Sequence, residues 1–103
     1  MSRLKLRATV RDGDGLFDQR VIEPIGRDAQ TLQALMDAGP IGITAQDVGG
    51  WAVRLSHYIF KLRTVYEIDI ETIEERHGGE YPGKHGRYTL RSDVRLVGDV
   101  RAA

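Results

Sequence analysis

At Tyr66 the spacing of apolar residues changes from that of a helix to that of a strand. Before it, Trp51, Leu55, Tyr58, Ile59, Leu62 and Val65 fall on one stripe at offsets of three and four, which predicts a helix over 51–65. Arg54, His57, Lys61 and Thr64 fall on the opposite stripe, and no acidic residue interrupts the helix. After it, Ile68 and Ile70 alternate with Glu67, Asp69 and Glu71, the period of a half-buried strand, which extends to Arg76. The segment 77–86 holds four glycines and a proline and is expected to be a loop. Arg87 to Arg91 reads as the returning strand, with Tyr88 and Leu90 on one face. A helix with an apolar back and a basic front therefore runs directly into a hairpin with a long tip.

The rest of the chain supplies elements that can pack on that unit. Leu4, Leu6, Ala8 and Val10 alternate with Lys5, Arg7, Thr9 and Arg11, a strand with one buried face. Asp12-Gly13-Asp14-Gly15 is a turn signal and Leu16 to Glu23 the returning strand, closed by Pro24 and Gly26. Ala29, Leu32, Leu35 and Met36 mark a helix over 28–38, with Asp28 as the expected N-cap and Gly39-Pro40 as the stop. Thr44 can cap a short helix over Ala45 to Val48, ended by Gly49-Gly50. Val94, Leu96 and Val100 allow a last short strand or a tail. The expected organisation is a single domain over 1–103, with a β-hairpin at 1–25, a core at 26–91 and a short strand or tail at 92–103.

Composition agrees with one folded domain. The 103 residues are 41% hydrophobic and 29% charged, a balance that can form a core without disulfides. There is no cysteine, which excludes thiolate metal sites and makes a cytoplasmic setting the expectation. Nothing near the start resembles an export signal, and no apolar run approaches the roughly 20 residues of a membrane helix. Fifteen basic and fifteen acidic residues cancel, yet they are segregated. Bases dominate 1–11, 54–63 and 84–101, and six acids face one base in 67–80. Such blocks are expected to form faces of opposite sign.

Three helices followed by strand, loop and strand is the layout of a winged helix-turn-helix domain, an α+β fold with a C-terminal wing hairpin, here with an additional N-terminal β-hairpin. Arg54-Leu55-Ser56, Ile59, Leu62-Arg63, Ile70 with Thr72, and Arg87-Tyr88-Thr89-Leu90 resemble a small bacterial and phage helix-turn-helix family. The run from Gly26-Arg27-Asp28-Ala29 through Ser56–Arg63 to His85-Gly86-Arg87-Tyr88 is similar to short winged-helix proteins of alphaproteobacteria and their prophages, most of which have no assigned function. The similarity covers about residues 26–91. One departure is that Tyr66 stands where such sequences commonly place a glycine to end the helix.

The resemblance implies a DNA-binding protein with a regulatory or phage-related role and double-stranded DNA as partner. The helix over 51–65 would enter the major groove, with Arg54, His57, Lys61 and Arg63 contacting phosphates or base edges. Lys84, His85 and Arg87 on the second hairpin would reach a neighbouring phosphate strand. The plainer reading is that the basic stripe is an ordinary solvated helix face. A different class of function is a protein-interaction module that uses the acidic strand over 67–76 to hold a basic partner. The opening hairpin can extend the wing sheet or pair with a second copy through an exposed edge, and a homodimer would suit a palindromic operator.

No catalytic set emerges. His77 and His85 with Glu75 and Glu80 match no metal-binding spacing, so no metal or other cofactor is expected. Gly83-Lys84-His85 lacks the pattern of a phosphate-binding loop, and Ser56 and His57 point about 100° apart on a helix. The expectation is a protein that is not an enzyme. Trp51, Tyr58, Phe60, Tyr66 and Tyr88 are expected in core or hairpin packing, and Tyr81 beside Pro82 at the loop tip.

Overall fold

The computed structural model describes residues 4–11, 19–47, 54–77 and 83–97, with only the backbone given for 76, 77 and 83–85. The chain order is β1 (Ala8–Arg11), β2 (Gln19–Ile22), α1 (Arg27–Ala38), a 3-10 turn (Gly39–Ile41), α2 (Leu55–Thr64), β3 (Ile70–His77), β4 (Gly83–Leu90) and β5 (Asp93–Leu96). The α+β content agrees with expectation, but two helices are described where three were expected. At the place of the second, Ala45 to Asp47 form a turn. It is closed by a reciprocal pair: the Asp47 N–H donates to Thr44 Oγ1 at 3.3 Å and the Thr44 N–H to Asp47 Oδ2 at 2.9 Å. Thr44 thus closes a turn where it was expected to cap a helix, and Val48, Gly49-Gly50 and Trp51 fall outside the described residues.

The strands form two antiparallel sheets, one in the order β2-β1-β5 and the other β3-β4. The period of two in β1 is borne out, because Leu6, Ala8 and Val10 are buried. On the other face, Lys5 and Arg7 both reach Glu23, at 3.3 and 3.6 Å. The opening hairpin neither extends the second hairpin nor leaves β1 as an edge. Ala8 to Arg11 pair with Ile22 to Gln19 on one side and with Leu96 to Asp93 on the other. Val94 of β5 thereby faces Val10 of β1, and both are buried. Asp12 to Asp18, Val100 and the rest of the tail lie outside the described residues.

The helix α1 starts one residue before the expected range, and Gly26 rather than Asp28 is its N-cap. Asp28 is instead buried in the first turn, where its carboxylate faces α2. Gly39 ends the helix with φ 58, and Pro40 opens the 3-10 turn that follows. Gly42 is the glycine whose identity the packing enforces. Its φ is 75, and a Cβ there would lie 2.5 Å from the Tyr88 carbonyl oxygen. That close approach lets Ile43 and Tyr88 exchange two backbone hydrogen bonds of 2.8 Å, so the chain after α1 joins the edge of β4.

The core lies between the helices and the two sheets. Ala29, Leu32 and Leu35 of α1 and Leu55, Ile59 and Leu62 of α2 are buried with Ile43, Ile68 and Ile70. Of the apolar stripe expected on α2, Tyr58 is half-buried and Val65 is exposed. Val65 is the residue after the last helical turn, where the chain already leaves the core. Phe60 is also exposed, contrary to expectation.

The turn from α2 to β3 closes without glycine. The left-handed residue is Glu67, with φ 55, one position beyond Tyr66. A residue with a Cβ pays about 1 kcal/mol or more for that conformation. Two bonds hold it: the Ile68 N–H donates to the Leu62 carbonyl at 3.0 Å, and the Arg20 guanidinium of β2 donates to the Glu67 carbonyl. The strand consequently begins at Ile70 rather than Glu67. It also runs further than the glycine content of 77–86 implied, since pairing continues from Ile70↔Leu90 to His77↔Gly83. The tip with Tyr81 and Pro82 lies outside the described residues.

Candidate nucleic-acid interface

The burial of Leu55, Ile59 and Leu62 fixes which way α2 faces. Side chains advance about 100° per residue, so Ser56, His57, Phe60, Arg63 and Thr64 share the outward face, with His57 and Thr64 nearest its centre. All five are exposed, as is Arg54 at the N-cap. Phe60 retains 61% of its full exposure and is the one described aromatic residue so placed. A ring of that kind forgoes burial worth about 1.5–3 kcal/mol. Arg54 has no side-chain cap bond, no acid stands in the first turn, and the His57 ring packs edge-on against Tyr58 at 5.6 Å.

The expected site residues divide into groups with different surroundings. Arg54 and His57 present their side chains at the N-terminal half of α2. Lys61 instead turns toward α1, where its ammonium sits 2.8 Å from Asp28 Oδ2. The Tyr66 hydroxyl donates to the same oxygen at 3.3 Å, so one buried carboxylate serves two partners. The hydrogen bond to Asp28, reinforced by its charge, raises the Lys61 pKa despite some desolvation. Burial first, and then the Asp28 charge, raise that of Tyr66.

Arg63 is likewise engaged. Its guanidinium donates twice to the Ile70 carbonyl, at 3.1 and 2.5 Å, and once to Thr72 Oγ1 at 2.5 Å. Arg87 binds Glu75 Oε2 at 2.8 Å and the Ile41 carbonyl at 3.2 Å, and lies 3.9 Å from Asp47. The bond to Glu75 lifts its pKa above the ordinary arginine range. Lys84 and His85 occupy β4, paired through the backbone with Arg76 and Glu75.

Among the described residues, the acidic and basic blocks meet across the second hairpin. Antiparallel pairing sets the acidic β3 against the basic β4 and its continuation, so Glu75 meets Arg87 and Glu71 meets Arg91 at 2.8 Å. Among the described residues no cluster of three or more histidines, cysteines and carboxylates can hold a metal ion. No helix of the described chain is long and apolar enough to cross a membrane. A shallow depression lined by Thr9, Arg11, Gln19, Asp93 and Arg95 lies on the three-stranded sheet and includes no residue of α2.

The family model described as Winged helix domain matches residues 21–100, most of the chain. The chain belongs to the winged helix domain family. Winged helix domains are typically non-enzymatic DNA-binding modules. The match also takes in β5, whereas β1, the strand joining β2 to β5, precedes it. Comparisons with curated proteins and with solved structures return no match.

Sequence reasoning missed the Asp28 cluster, the exposure of Phe60 and the reach of Arg20 to Glu67. Asp28 carried a signal in hindsight, because it stands two residues into a helix whose cap position is already filled by Gly26. For Phe60 the signal was its offset from the stripe: it lies one residue from Ile59 and two from Leu62, facing away from both.

Proposed function

We propose that this winged-helix domain binds double-stranded DNA, with α2 presented to the major groove and the wing beside it. We further propose that it does so as a transcriptional regulator or phage-related factor. The observation that carries this reading is the placement of Arg54. The N-terminus of a helix already concentrates positive potential, so a cation there costs about 0.3–1 kcal/mol. Arg54 stands at that end of α2 with no acid in the first turn to offset it. A phosphate bound at the same place relieves the conflict through both the guanidinium and the helix dipole.

The direct contacts we assign are Arg54 and His57 from α2, with Lys84 and His85 from the wing. Lys61, Arg63 and Arg87 are assigned to position these elements, since their charged groups are held by Asp28, by Ile70 and Thr72, and by Glu75. The alternative, that the acidic strand is a docking surface for a basic protein, has less support. Glu71 and Glu75 are already neutralised by Arg91 and Arg87.

The test is a fluorescence anisotropy titration of a labelled random-sequence duplex at about 50 and 200 mM salt. Several phosphate contacts predict a loss of roughly tenfold or more in affinity across that range. Absence of binding at the lower salt would reject the DNA reading and turn attention to protein partners.

A further inference from the structure

We propose that Phe60 reads the C5-methyl group of a thymine in the major groove, and so sets part of the sequence preference of the domain. This rests on the duplex-binding reading above and extends it from affinity to specificity.

Phe60 lies on the outward face of α2, within about 50° of the line opposite the buried residues, on the side that approaches a groove when a helix is laid into it. Its neighbours on that face, Ser56, His57, Arg63 and Thr64, are all polar. The other exposed apolar side chain of this segment, Val65, falls about 140° away around the helix axis. Phe60 is therefore an isolated ring in polar surroundings, not part of the broad apolar patch that marks a protein interface.

Charge narrows the occupant further. His57 lies three residues from the ring on the same face, Arg54 stands at the N-cap, and the helix carries no acid, which suits an anionic surface. Within a major groove the apolar feature on the base edges is the thymine C5-methyl group, and phenylalanine is a side chain that can meet it. The hydroxyl of Thr64 donates to the Phe60 carbonyl at 2.9 Å, and Arg63 is held by Ile70 and Thr72. Two neighbours of the ring are thus occupied by bonds within the fold, and the exposed ring stands beside His57, ready to touch a base.

The experiment selects the preferred duplex from a random pool and then replaces its thymines one at a time with deoxyuridine, which lacks only the methyl group. Wild type, Phe60→Ala and Phe60→Leu are titrated against each duplex. At one or two positions wild type is expected to lose about fourfold in affinity, the factor for one buried methyl, while Phe60→Ala shows no further loss there. The melting temperature of Phe60→Ala should be unchanged, because the ring is exposed.

Equal deoxyuridine penalties for wild type and Phe60→Ala at every position overturn the proposal while leaving duplex binding intact, as does a wild type indifferent to deoxyuridine throughout. If Phe60→Ala binds too weakly to titrate, Phe60→Leu decides: a smaller penalty than wild type at the same position supports the contact, and an equal one rejects it. Absence of duplex binding by wild type at 50 mM salt overturns both this proposal and the reading beneath it.

Discussion

The two ends of α2 use cations in opposite ways. At the C-terminal end, Lys61 and Arg63 stand in the last turn, where the helix dipole favours positive charge. Both are bonded into the fold, to Asp28 of α1 and to Ile70 and Thr72 of β3. At the N-terminal end, Arg54 stands where the dipole opposes it and makes no cap bond. From sequence these residues form one basic run. In three dimensions one end secures the helix and the other is exposed, which is the difference between a residue that holds an interface in place and one that can touch a ligand. Four changes can break or sharpen this contrast, ranked by their expected effect on stability.

The largest effect is expected from Asp28→Ala. It removes a buried carboxylate that accepts from both Lys61 and Tyr66, and bonds to a charged group contribute about 2 kcal/mol. For a domain of this size that corresponds to a fall of roughly 10 °C in Tm, measurable by circular dichroism. An unchanged Tm would show that the cluster does not join α1 to α2.

Arg63→Ala should follow, with a loss of about 1–2 kcal/mol, smaller because the side chain is exposed. Arg63→Lys should recover little of it, since an ammonium lacks the planar fork that meets Ile70 and Thr72 together. Full recovery by lysine would mean that charge alone matters at this position.

These two variants also show what the sequence made legible. Arg63, Ile70 and Thr72 belong to the very pattern on which the family resemblance rests, and in the structure the arginine ties α2 to β3. The pattern thus identified the fold while its charged members looked like ligand contacts. Periodicity located β1, α1, α2 and β3 because burial acts on each element separately. It could not show that β5 completes the sheet with β1, since pairing across most of the chain leaves no local mark. Nor could it show that Glu71 and Glu75 would pair with Arg91 and Arg87, because that depends on the antiparallel register of β3 and β4.

A third test uses pH. Lys61 and Tyr66 both have raised pKa values in the folded chain, the first chiefly through its hydrogen bond to Asp28 and the second chiefly through burial. A group whose folded pKa exceeds its unfolded value stabilises the protein fully below the unfolded pKa and loses that contribution as pH rises through the folded one. Stability should therefore hold up to about pH 10 and decline above it. In Asp28→Asn the Lys61 part of that decline should disappear and the Tyr66 part, which stems mainly from burial, should persist. An identical alkaline slope in both proteins would contradict the assignment of Lys61.

The smallest effect on stability, and the most telling one, is expected at the other end of the helix. Exposed substitutions away from bonded networks usually change stability by less than about 0.5 kcal/mol. Removing a cation that opposes the helix dipole works in the stabilising direction. Arg54→Ala should therefore leave Tm unchanged or slightly raised. Each lost phosphate contact should weaken duplex binding and reduce the slope of log affinity against log salt by about 1. Combining Arg54→Ala with His57→Ala should lower affinity further, with the size of any additional slope change reporting whether the imidazole is charged when bound. Coupled measurement of Tm and salt slope separates the two ends of α2 in one series. Asp28→Ala and Arg63→Ala lower Tm first and binding only through the loss of folded protein, whereas Arg54→Ala lowers binding with the fold intact. A fall in Tm for Arg54→Ala with no change in slope would reverse the contrast and make its guanidinium a structural group.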